Sequence, residues 1–524
     1  MQVHPLKTKD YKTFQAGSIV FEGALKANKA LPGDYVDEGI QVIKRAQHTN
    51  IIGVLELASK TRYGFTSKQV PIYIFIPWNE AYPPFYVGSS HKDLTKNVIA
   101  LVDFDHWLSP SNCPRGNCRR IIGPCGSIEA EEEALLLHTC SERWNANDFK
   151  QPLENPLIPI QGGIGLNDSV QTFHVDPEGC RDIDDAISIW ITDSGDLEVR
   201  IHIADVASTL LTNPWLLKKA ENIGQTVYRD GKVVLGMLPA HVEEKLSLLP
   251  SHYRKTITLA FTWNIVKKVY NIRWYQQEIM VKESYTYETI MNSKYAETLK
   301  MLTSDLAQKD LEDSHDWIAE LMLFYNKEAA KLLRKNGLGI LRRHGAPDLE
   351  LLARLEIVGV APKHLAYKSG EYCFATEPDV GHWGLQTNVY CHASSPIRRW
   401  ADCVNQMALL KILFNEFVEP VEGDPYSLNA SAKKVKAYER DLVFLKTLLG
   451  TSERVFDVVI VDVKESKVKV WVESWLRIVT VYKPVDNWTF KPEVGMKAIA
   501  TVFYDAGKRN WKKRLVIHLQ QWSN

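Results

Sequence analysis

The chain has 524 residues, of which 45% are hydrophobic and 24% charged, and its 63 Lys and Arg balance 63 Asp and Glu. This length is enough for about two to five domains with buried cores, and the balanced charge argues against a simple polycation or an acidic disordered tail. No apolar run reaches the ~18 residues of a membrane helix and no signal sequence follows Met1, so we expect no membrane association. Eight cysteines in so long a chain predict free thiols, and we expect a cytoplasmic protein, with the nucleus as the alternative.

The first 125 residues contain short β-rich runs that are separated by turns. We predict strands at Ile40–Ile43, Ile51–Leu57 and Val70–Ile76, and a turn at Pro32–Asp34. The regular spacing of these runs is typical of small β-barrels. We place two barrels of the OB type here, one in residues 1–48 and one, with a linker, in residues 49–150.

The middle of the chain changes from strands to helices. Strands are predicted at Leu197–Ala204 and Thr256–Ile265, and helices at Trp317–Leu333 and Ile397–Phe414, where apolar residues recur at helical spacing. We therefore predict a mixed α/β domain over residues 151–450.

The last segment, residues 451–524, returns to strands. It carries 13 basic and 8 acidic side chains. The predicted strands are Phe456–Val463, Lys467–Val472, Arg477–Tyr482, Ala498–Phe503 and Leu515–Leu519. About five short strands in so short a stretch suit an OB barrel, a common module for single-stranded nucleic acid, although a generic β-domain fits the pattern as well.

The most informative stretch is acidic. Residues 151–200 hold 10 acidic and 2 basic side chains, and Asp176, Asp182, Asp184 and Asp185 fall within ten residues, just before an apolar run. Like charges beside a core are costly unless cations neutralise them, and hard oxygen ligands suit Mg²⁺ or Mn²⁺. A pair of such ions can activate water against a phosphodiester. A solvated acidic turn or a Ca²⁺ loop remains the alternative, but the Gly and Glu positions of an EF-hand are absent.

Several motifs, in order along the chain, resemble those of the ribonuclease II (RNB) family of 3′→5′ exoribonucleases. The segments that carry the resemblance are Asp176–Ala186, His202–Val206, Val227–Tyr228, Met237–Pro239, Tyr285–Glu288, His382–Leu385, Ser394–Asp402 and Glu439–Asp441. The turn Asn28–Asp34 resembles one in the family's first cold-shock barrel, and the acidic segment Ile128–Leu137 resembles the linker of the eukaryotic branch, which includes the exosome's catalytic exoribonuclease and its exosome-independent relatives. The resemblance implies two cold-shock barrels, an RNB domain and a C-terminal OB barrel.

The resemblance also implies roles for individual residues. Asp176, Asp182, Asp184 and Asp185 would hold the catalytic Mg²⁺ ions, with Asp184 the most important for the chemistry. Arg398, with Arg399 beside it, would contact the scissile phosphate. Tyr228 would stack on a base near the 3′ end, Tyr287 would limit product length, and Glu320 and Glu439 would bind the terminal ribose. For these two tyrosines and two glutamates, an ordinary structural role is the alternative.

We therefore expect a hydrolytic exoribonuclease that shortens single-stranded RNA to 5′-nucleoside monophosphates. The family's extra N-terminal nuclease (PIN) domain has no counterpart in the sequence, so we expect a monomer without the exosome tether which that domain provides. The stretch of about 33 residues between Tyr287 and Glu320 is shorter than in many relatives and lacks room for their RNA-lining β-hairpin. The alternatives are a catalytically inactive RNB scaffold that binds RNA and a metal-dependent phosphatase.

Overall fold

The computed structural model describes residues 3–140, 142–155, 170–357, 369–414, 422–450, 454–475, 477–483, 488–504 and 515–521. The chain divides into two compact units. One contains residues 1–141, 353–362 and 436–524, and the other contains residues 142–352 and 363–435. The first unit is built mainly from β-sheets, and the second is mixed α/β.

The N-terminal sheet has five antiparallel strands in the order β3-β2-β1-β4-β5. The strands are β1 (His4–Thr8), β2 (Thr13–Ala16), β3 (Ile19–Glu22), β4 (Tyr35–Val36) and β5 (Val42–Lys44), with a 3-10 helix at Ala24–Ala27. β5 begins later than predicted because Ile40 has φ of 60°, a left-handed conformation that a strand cannot contain. The turn predicted at Pro32–Asp34 is fixed by the buried Asp34 carboxylate, which accepts from the Leu31 amide at 2.7 Å.

The second barrel is closed, with the strand order β10-β8-β7-β6-β9. Its strands are β6 (Ile51–Leu55), β7 (Ile72–Pro77), β8 (Phe85–Gly88), β9 (Val98–Phe104) and β10 (Arg115–Pro124), and helix α1 (Ile128–Thr139) follows. Gly53 lets β6 pass close to β7, since a Cβ there would lie 2.2 Å from the Ile76 carbonyl oxygen. One continuous core joins this barrel to the N-terminal sheet, including Leu6, Phe14, Phe75 and Phe85.

The C-terminal sheet confirms the pattern of five strands. Its order is β23-β22-β21-β24-β25, all antiparallel. The strands are β21 (Val455–Lys464), β22 (Lys467–Val472), β23 (Arg477–Tyr482), β24 (Lys497–Tyr504) and β25 (Leu515–Gln521), with a 3-10 helix at Glu473–Trp475. Alternate apolar residues such as Val468, Val470 and Val472 form its core, as period-two alternation requires.

The second unit is organised around a six-stranded sheet in the order β17-β16-β13-β12-β11-β18, in which the β11–β18 pair is parallel. The strands are β11 (Thr172–Val175), β12 (Asp185–Ile191), β13 (Leu197–Ala204), β16 (Tyr253–Asn264), β17 (Lys268–Met280) and β18 (Glu283–Tyr285). Two small two-stranded sheets accompany it: β14 (Val227–Arg229) with β15 (Lys232–Leu235), and β19 (Ile340–Arg343) with β20 (Glu371–Phe374). One face of β16, with Leu259 and Phe261, packs on the helical core.

Helices follow the strands. They are α2 (Val206–Thr212), α3 (Pro214–Ile223), α4 (Ala240–Leu246), α5 (Tyr287–Ile290), α6 (Ala296–Ala307), α7 (Ser314–Asn336), α8 (Leu349–Ile357), α9 (Trp400–Phe414) and α10 (Pro425–Gly450), with 3-10 turns at Asp148–Lys150 and Trp383–Leu385. The last turns of α8 and most of α10 belong to the first unit. Asp313 caps the start of α7 by accepting from the His315 amide, and Gly337 in a left-handed conformation ends it. Between Tyr287 and Glu320, where every residue is described, the chain forms helices and turns and no β-hairpin.

The prediction that a helix begins at Ile397 was wrong by three residues, because α9 begins at Trp400. The Ile397 amide donates to the Asp184 carboxylate at 2.8 Å, so the residues before α9 form a loop against the acidic segment. Among the described residues, no helix is both long and apolar enough to cross a lipid bilayer.

Candidate active site

The four aspartates lie on one connection, between β11 and β12 of the central sheet. Asp176 directly follows β11, and Asp185 is the first residue of β12. The connection is fastened at both ends: the Asp176 amide donates to the Tyr285 carbonyl at 3.1 Å, and the Ile183 amide donates to Ser247 Oγ at 2.9 Å. The rigid sheet therefore holds all four carboxylates at one edge.

Asp184 is the most buried of the four, with 3% of its surface exposed. Its Oδ1 accepts from the Ile397 amide at 2.8 Å, and its Oδ2 lies 3.3 Å from Arg398 Nε. Oδ2 itself is buried without a hydrogen bond. Burial raises the pKa of Asp184 to about 7, although the Arg398 charge works in the opposite direction. Arg398 and the Ile397 amide therefore offset only part of the cost of burying the Asp184 charge.

Asp185 and Asp176 are electrostatically linked to this group. Burial raises the pKa of Asp185 well above its ordinary value, and the charges of Asp176 and Asp184 add to the effect. Asp176 Oδ2 is paired with His174 Nδ1 at 3.0 Å. Mutual repulsion between carboxylates of this kind is relieved when a cation binds between them.

Asp182 completes the set through a different partner. The Tyr228 hydroxyl donates to Asp182 Oδ2. Asp182 also belongs to the group of carboxylates that, with Asp184 and Asp185, raise the pKa of Arg398. Asp182, Asp184 and Asp185 therefore lie near Arg398, Asp176 lies near Asp185, and the Tyr228 hydroxyl orients the Asp182 carboxylate.

The two adjacent arginines point to different partners. Arg398 has 47% of its side chain exposed and faces Asp184. Arg399 instead pairs with the fully buried Asp402, whose Oδ2 lies 2.9 Å from Arg399 Nε. Asp402 Oδ1 also accepts from the Ser395 amide at 2.8 Å, which holds the loop that carries Arg398. A role for Arg399 in RNA binding stays a prediction, while its observed contact is structural.

Asn326 supports the same loop from helix α7, and no sequence motif marks it. Its side chain is buried; Oδ1 accepts from the Ala393 amide at 2.8 Å, and Nδ2 donates to Ser394 Oγ at 3.0 Å. The bonded residues are separated by 67 positions along the chain. Because no local motif marks such a contact, it was found from the tertiary structure alone.

Tyr287 lies beside the carboxylates, at the start of α5. Its ring stacks on His315 with centroids 3.8 Å apart and planes 11° apart. Burial raises its pKa to about 12, and the charges of Asp176 and Asp185 contribute. This position is compatible with the expected role at the end of an RNA path.

The two predicted ribose-binding glutamates have other surroundings. Glu320 is buried in α7, where Lys327 Nζ lies 3.8 Å from its Oε1, and burial raises its pKa. Glu439 is an exposed residue of α10 and belongs to the other compact unit. Ribose binding by either residue stays a prediction.

His202 is held in the interior of the central sheet by hydrogen bonds. It is fully buried in β13, bonded to Ser188 Oγ and Thr258 Oγ1, each at 2.9 Å. Burial lowers its pKa to about 3, so the imidazole is neutral. It fills a polar layer within the sheet and does not reach the acidic loop.

The carboxylate oxygens of the four aspartates suit a hard cation in type, although the side chains are not arranged around a single position. Among the described residues, no three His, Cys, Asp or Glu side chains are gathered as a ready metal site. Asp184 Oδ2 is nevertheless buried without a hydrogen bond, and its carboxylate and that of Asp185 repel each other. Mg²⁺ or Mn²⁺ would supply a partner for this oxygen and offset the repulsion. The residues present therefore fit such an ion in type.

A pH dependence of stability is expected from Asp184 in metal-free protein. Its folded-state pKa is raised to about 7, so its contribution to stability is complete below its unfolded pKa of about 4 and is lost as the pH rises through 7. Asp184→Asn should therefore unfold near the wild-type temperature at about pH 5, and at a higher temperature than wild type at about pH 8. Calorimetry in a chelator measures both values. A variant that is less stable at the higher pH would contradict this assignment.

A mixed α/β domain with converging carboxylates, accompanied by small β-barrels, is the architecture of a multidomain RNB protein. The RNB-domain family matches residues 166–293 and 290–415, and the Dis3-like cold-shock domain 2 family matches residues 72–140. Residues 166–415 therefore form an RNB domain, preceded by a cold-shock domain of the Dis3-like type. The two RNB matches meet within α5, in the region that the sequence predicts to be shortened.

Curated relatives support this assignment. The human exosome complex exonuclease RRP44 is 23% identical over 471 residues, which cover 72% of this chain and 49% of that protein. Ribonuclease R from Helicobacter pylori is 25% identical over 535 residues, covering 83% of this chain and 79% of that protein. The chain spans about half the length of the human and mouse relatives.

Solved structures share the fold. Apo RNase R from Mycoplasma genitalium superposes with a TM-score of 0.71 at 15% identity, over 99% of this chain and 100% of that one. Yeast Ssd1, described as a pseudonuclease, gives a TM-score of 0.61 at 15% identity, over 99% of this chain and 81% of that one. At these identities the comparison establishes the fold, and it includes a protein described as lacking nuclease activity.

Proposed function

We propose that the protein is a hydrolytic 3′→5′ exoribonuclease that degrades single-stranded RNA to 5′-nucleoside monophosphates. The observation that carries the proposal is the placement of Asp182, Asp184 and Asp185 near Arg398, with Asp176 near Asp185. The relatives named as exonucleases and RNase R, and the similarity to RNase R in complex with ribose-methylated single-stranded RNA, support an RNA substrate.

Each side chain has a chemical task in this proposal. The four aspartates would hold Mg²⁺, or Mn²⁺, in the manner of a two-metal site, and the ions would lower the pKa of a bound water. Arg398 would bind the scissile phosphate through its exposed guanidinium, whose fork geometry matches two phosphate oxygens. Arg399 does not share this task, because it is paired with Asp402. The Tyr228 hydroxyl orients Asp182, and His174 orients Asp176.

The test follows a 5′-labelled unstructured RNA of about 20 nucleotides, longer than the ~4–16 nucleotides that one OB module covers. With Mg²⁺ or Mn²⁺, we expect a ladder that shortens from the 3′ end and releases 5′-monophosphates. RNA with a blocked 3′ end is the control. Binding without shortening, under several metal and pH conditions, would exclude the enzyme.

A catalytically inactive RNB-type RNA-binding scaffold is the second candidate. Two observations favour it: the similarity to the Ssd1 pseudonuclease, and the position of Arg398 against Asp184, where a metal ion would have to compete. The presence of all four aspartates favours the enzyme. The RNA-shortening assay separates the two candidates directly.

Removal of the Tyr228 hydroxyl is expected to weaken metal binding. Tyr228→Phe leaves the ring in place for stacking but deprives Asp182 of its donor. Loss of such an orienting partner typically costs about 10- to 100-fold in metal affinity or activity. The midpoint of a Mg²⁺ titration, followed by the rise in unfolding temperature as well as by RNA cleavage, measures the effect.

The control for that variant is Tyr253→Phe, a change at a tyrosine with 64% of its surface exposed. It should leave the Mg²⁺ midpoint unchanged. Equal midpoints for Tyr228→Phe and wild type would show that the hydroxyl has no role in positioning Asp182. The monomeric state, the lack of an exosome tether and the cytoplasmic location stay predictions.

A further inference from the structure

Tyr287 is carried to the acidic edge of the central sheet by the parallel pair of strands β11 and β18. Val175 pairs with Tyr285, and the Asp176 amide donates to the Tyr285 carbonyl at 3.1 Å. The two strands therefore end side by side, with Asp176 directly after one and Tyr287 two residues after the other. Tyr287 begins α5, a helix of four residues. A single helical turn has little stability of its own, so contacts with other elements must fix the position of this ring.

His315, near the start of α7, supplies such a contact. Its imidazole is stacked on the Tyr287 ring, with the centroids 3.8 Å apart and the planes 11° apart. The imidazole is held in turn by Asp313, whose Oδ1 lies 2.9 Å from His315 Nδ1 and accepts from the His315 amide at 2.8 Å. The residue that caps α7 therefore also fixes the plane of the ring on which Tyr287 rests.

A buried hydrogen bond fastens the two helices at the same place. Ser314, which has 1% of its surface exposed, donates from its Oγ to the Tyr287 carbonyl at 2.6 Å. Breaking such a bond would leave a buried polar group without a partner, so the start of α7 is held against the start of α5. Three consecutive residues, Asp313 to His315, thus act together on the position of one tyrosine.

The outer face of His315 is poorly suited to RNA. The His315 side chain is 62% exposed, so the imidazole face that does not stack on Tyr287 is open to solvent. The neighbouring Asp313 and Asp316 are exposed acids, and so is Glu288 beside Tyr287. Carboxylates repel a phosphate backbone, which is bound through Lys and Arg. The contact of His315 that bears on an RNA substrate is therefore its stack on Tyr287.

We propose that His315 is a positioning residue that holds the Tyr287 ring against the nucleotide at the 3′ end of bound RNA. The inference rests on the RNA substrate of the proposed function. In it, His315 itself contacts neither the RNA nor the four aspartates. Without the imidazole, the Tyr287 ring would stay near the acidic edge but would be free to rotate, so its contact with RNA would weaken.

The test measures RNA affinity without cleavage, so it also applies to the inactive scaffold. An RNA of about six nucleotides, within the ~4–16 nucleotides that one OB module covers, carries 2-aminopurine at its 3′ end. Its fluorescence is titrated with the full chain at low salt in the presence of a chelator. Tyr287→Ala should weaken binding by about fivefold or more, because a contact between a base and an aromatic ring is lost. His315→Ala should weaken it by about two- to fivefold.

The double variant Tyr287→Ala and His315→Ala separates positioning from direct contact. It should bind RNA within about twofold of Tyr287→Ala alone, because a positioning residue has no effect once the residue it positions is gone. His315→Phe restores a flat ring and should return the affinity to within about twofold of wild type. The matched control is His252→Ala, which removes an exposed histidine whose Nδ1 lies 2.9 Å from the Pro250 carbonyl oxygen and should have no effect. Unfolding temperatures check that every variant is folded.

Several results would overturn the proposal. Wild-type affinity of His315→Ala would show that the stack does not position the ring, and additive losses in the double variant would show that His315 contacts RNA directly. An unchanged affinity of Tyr287→Ala would remove the RNA contact on which positioning depends, and absence of RNA binding by wild type would overturn the proposed function as well. Absence of 3′ shortening with Mg²⁺, together with the expected affinities, would exclude the exoribonuclease and support the positioning role in an RNA-binding scaffold.

Discussion

Asp184→Asn is expected to abolish 3′ shortening of RNA, with a loss on the order of 10³-fold or more, while RNA affinity stays close to that of wild type. Asn keeps an oxygen for the Ile397 amide, so the loop that carries Arg398 should stay in place. The change removes the charge that the proposed metal ions require. It also reduces the negative charge that faces the phosphates, so binding should not weaken. Single-turnover cleavage and anisotropy with labelled RNA measure the two quantities.

The matched control is Asp193→Asn, which changes an exposed acid in the turn that follows β12. It should leave cleavage and binding unchanged. If Asp184→Asn loses RNA affinity and unfolding temperature together with activity, Asp184 is a structural residue and the proposed role is wrong.

Asp402→Ala is expected to have the largest effect on stability, a loss of about 3 kcal/mol in the free energy of unfolding. Asp402 is fully buried and pairs with Arg399, whose side chain is 28% exposed, and it also accepts from the Ser395 amide. Alanine would leave a largely buried guanidinium without its partner. Urea denaturation of the full chain, followed by tryptophan fluorescence, measures the change.

Two comparisons give this prediction its meaning. The double variant Arg399→Met and Asp402→Leu should recover most of the loss, because replacing both members of a buried ion pair is often nearly neutral. Glu221→Ala removes an exposed partner of Lys218, 2.8 Å away, and should cost at most about 1 kcal/mol. If Asp402→Ala lowers the free energy of unfolding by no more than Glu221→Ala does, the ion pair between Arg399 and Asp402 does not stabilise the loop that carries Arg398.

Local pattern was sufficient to predict the strands of the C-terminal sheet and the central strands. Leu197–Ala204, Lys467–Val472 and Arg477–Tyr482 have the predicted boundaries. Apolar residues alternate along such strands, and the solvent or a polar layer lies on the other face, so sequence periodicity carries the information. The start of α9 could not be predicted this way, because a contact with Asp184, 213 positions away, keeps Ile397 out of the helix.

The sequence by itself was sufficient for the RNB resemblance and the combination of OB-type and mixed α/β domains, and it marked the four aspartates as candidates, because motif spacing and periodicity are local properties of the chain. The tertiary structure decided which groups face one another. It assigned Arg398 to Asp184 and Arg399 to Asp402, although the two arginines are adjacent in sequence. It also bonded Tyr228 to Asp182 and fastened the arginine loop to Asn326. These pairings depend on where elements distant in sequence meet. Burial and hydrogen bonding act through space, so they produce no periodic pattern in the sequence from which the partners could be predicted.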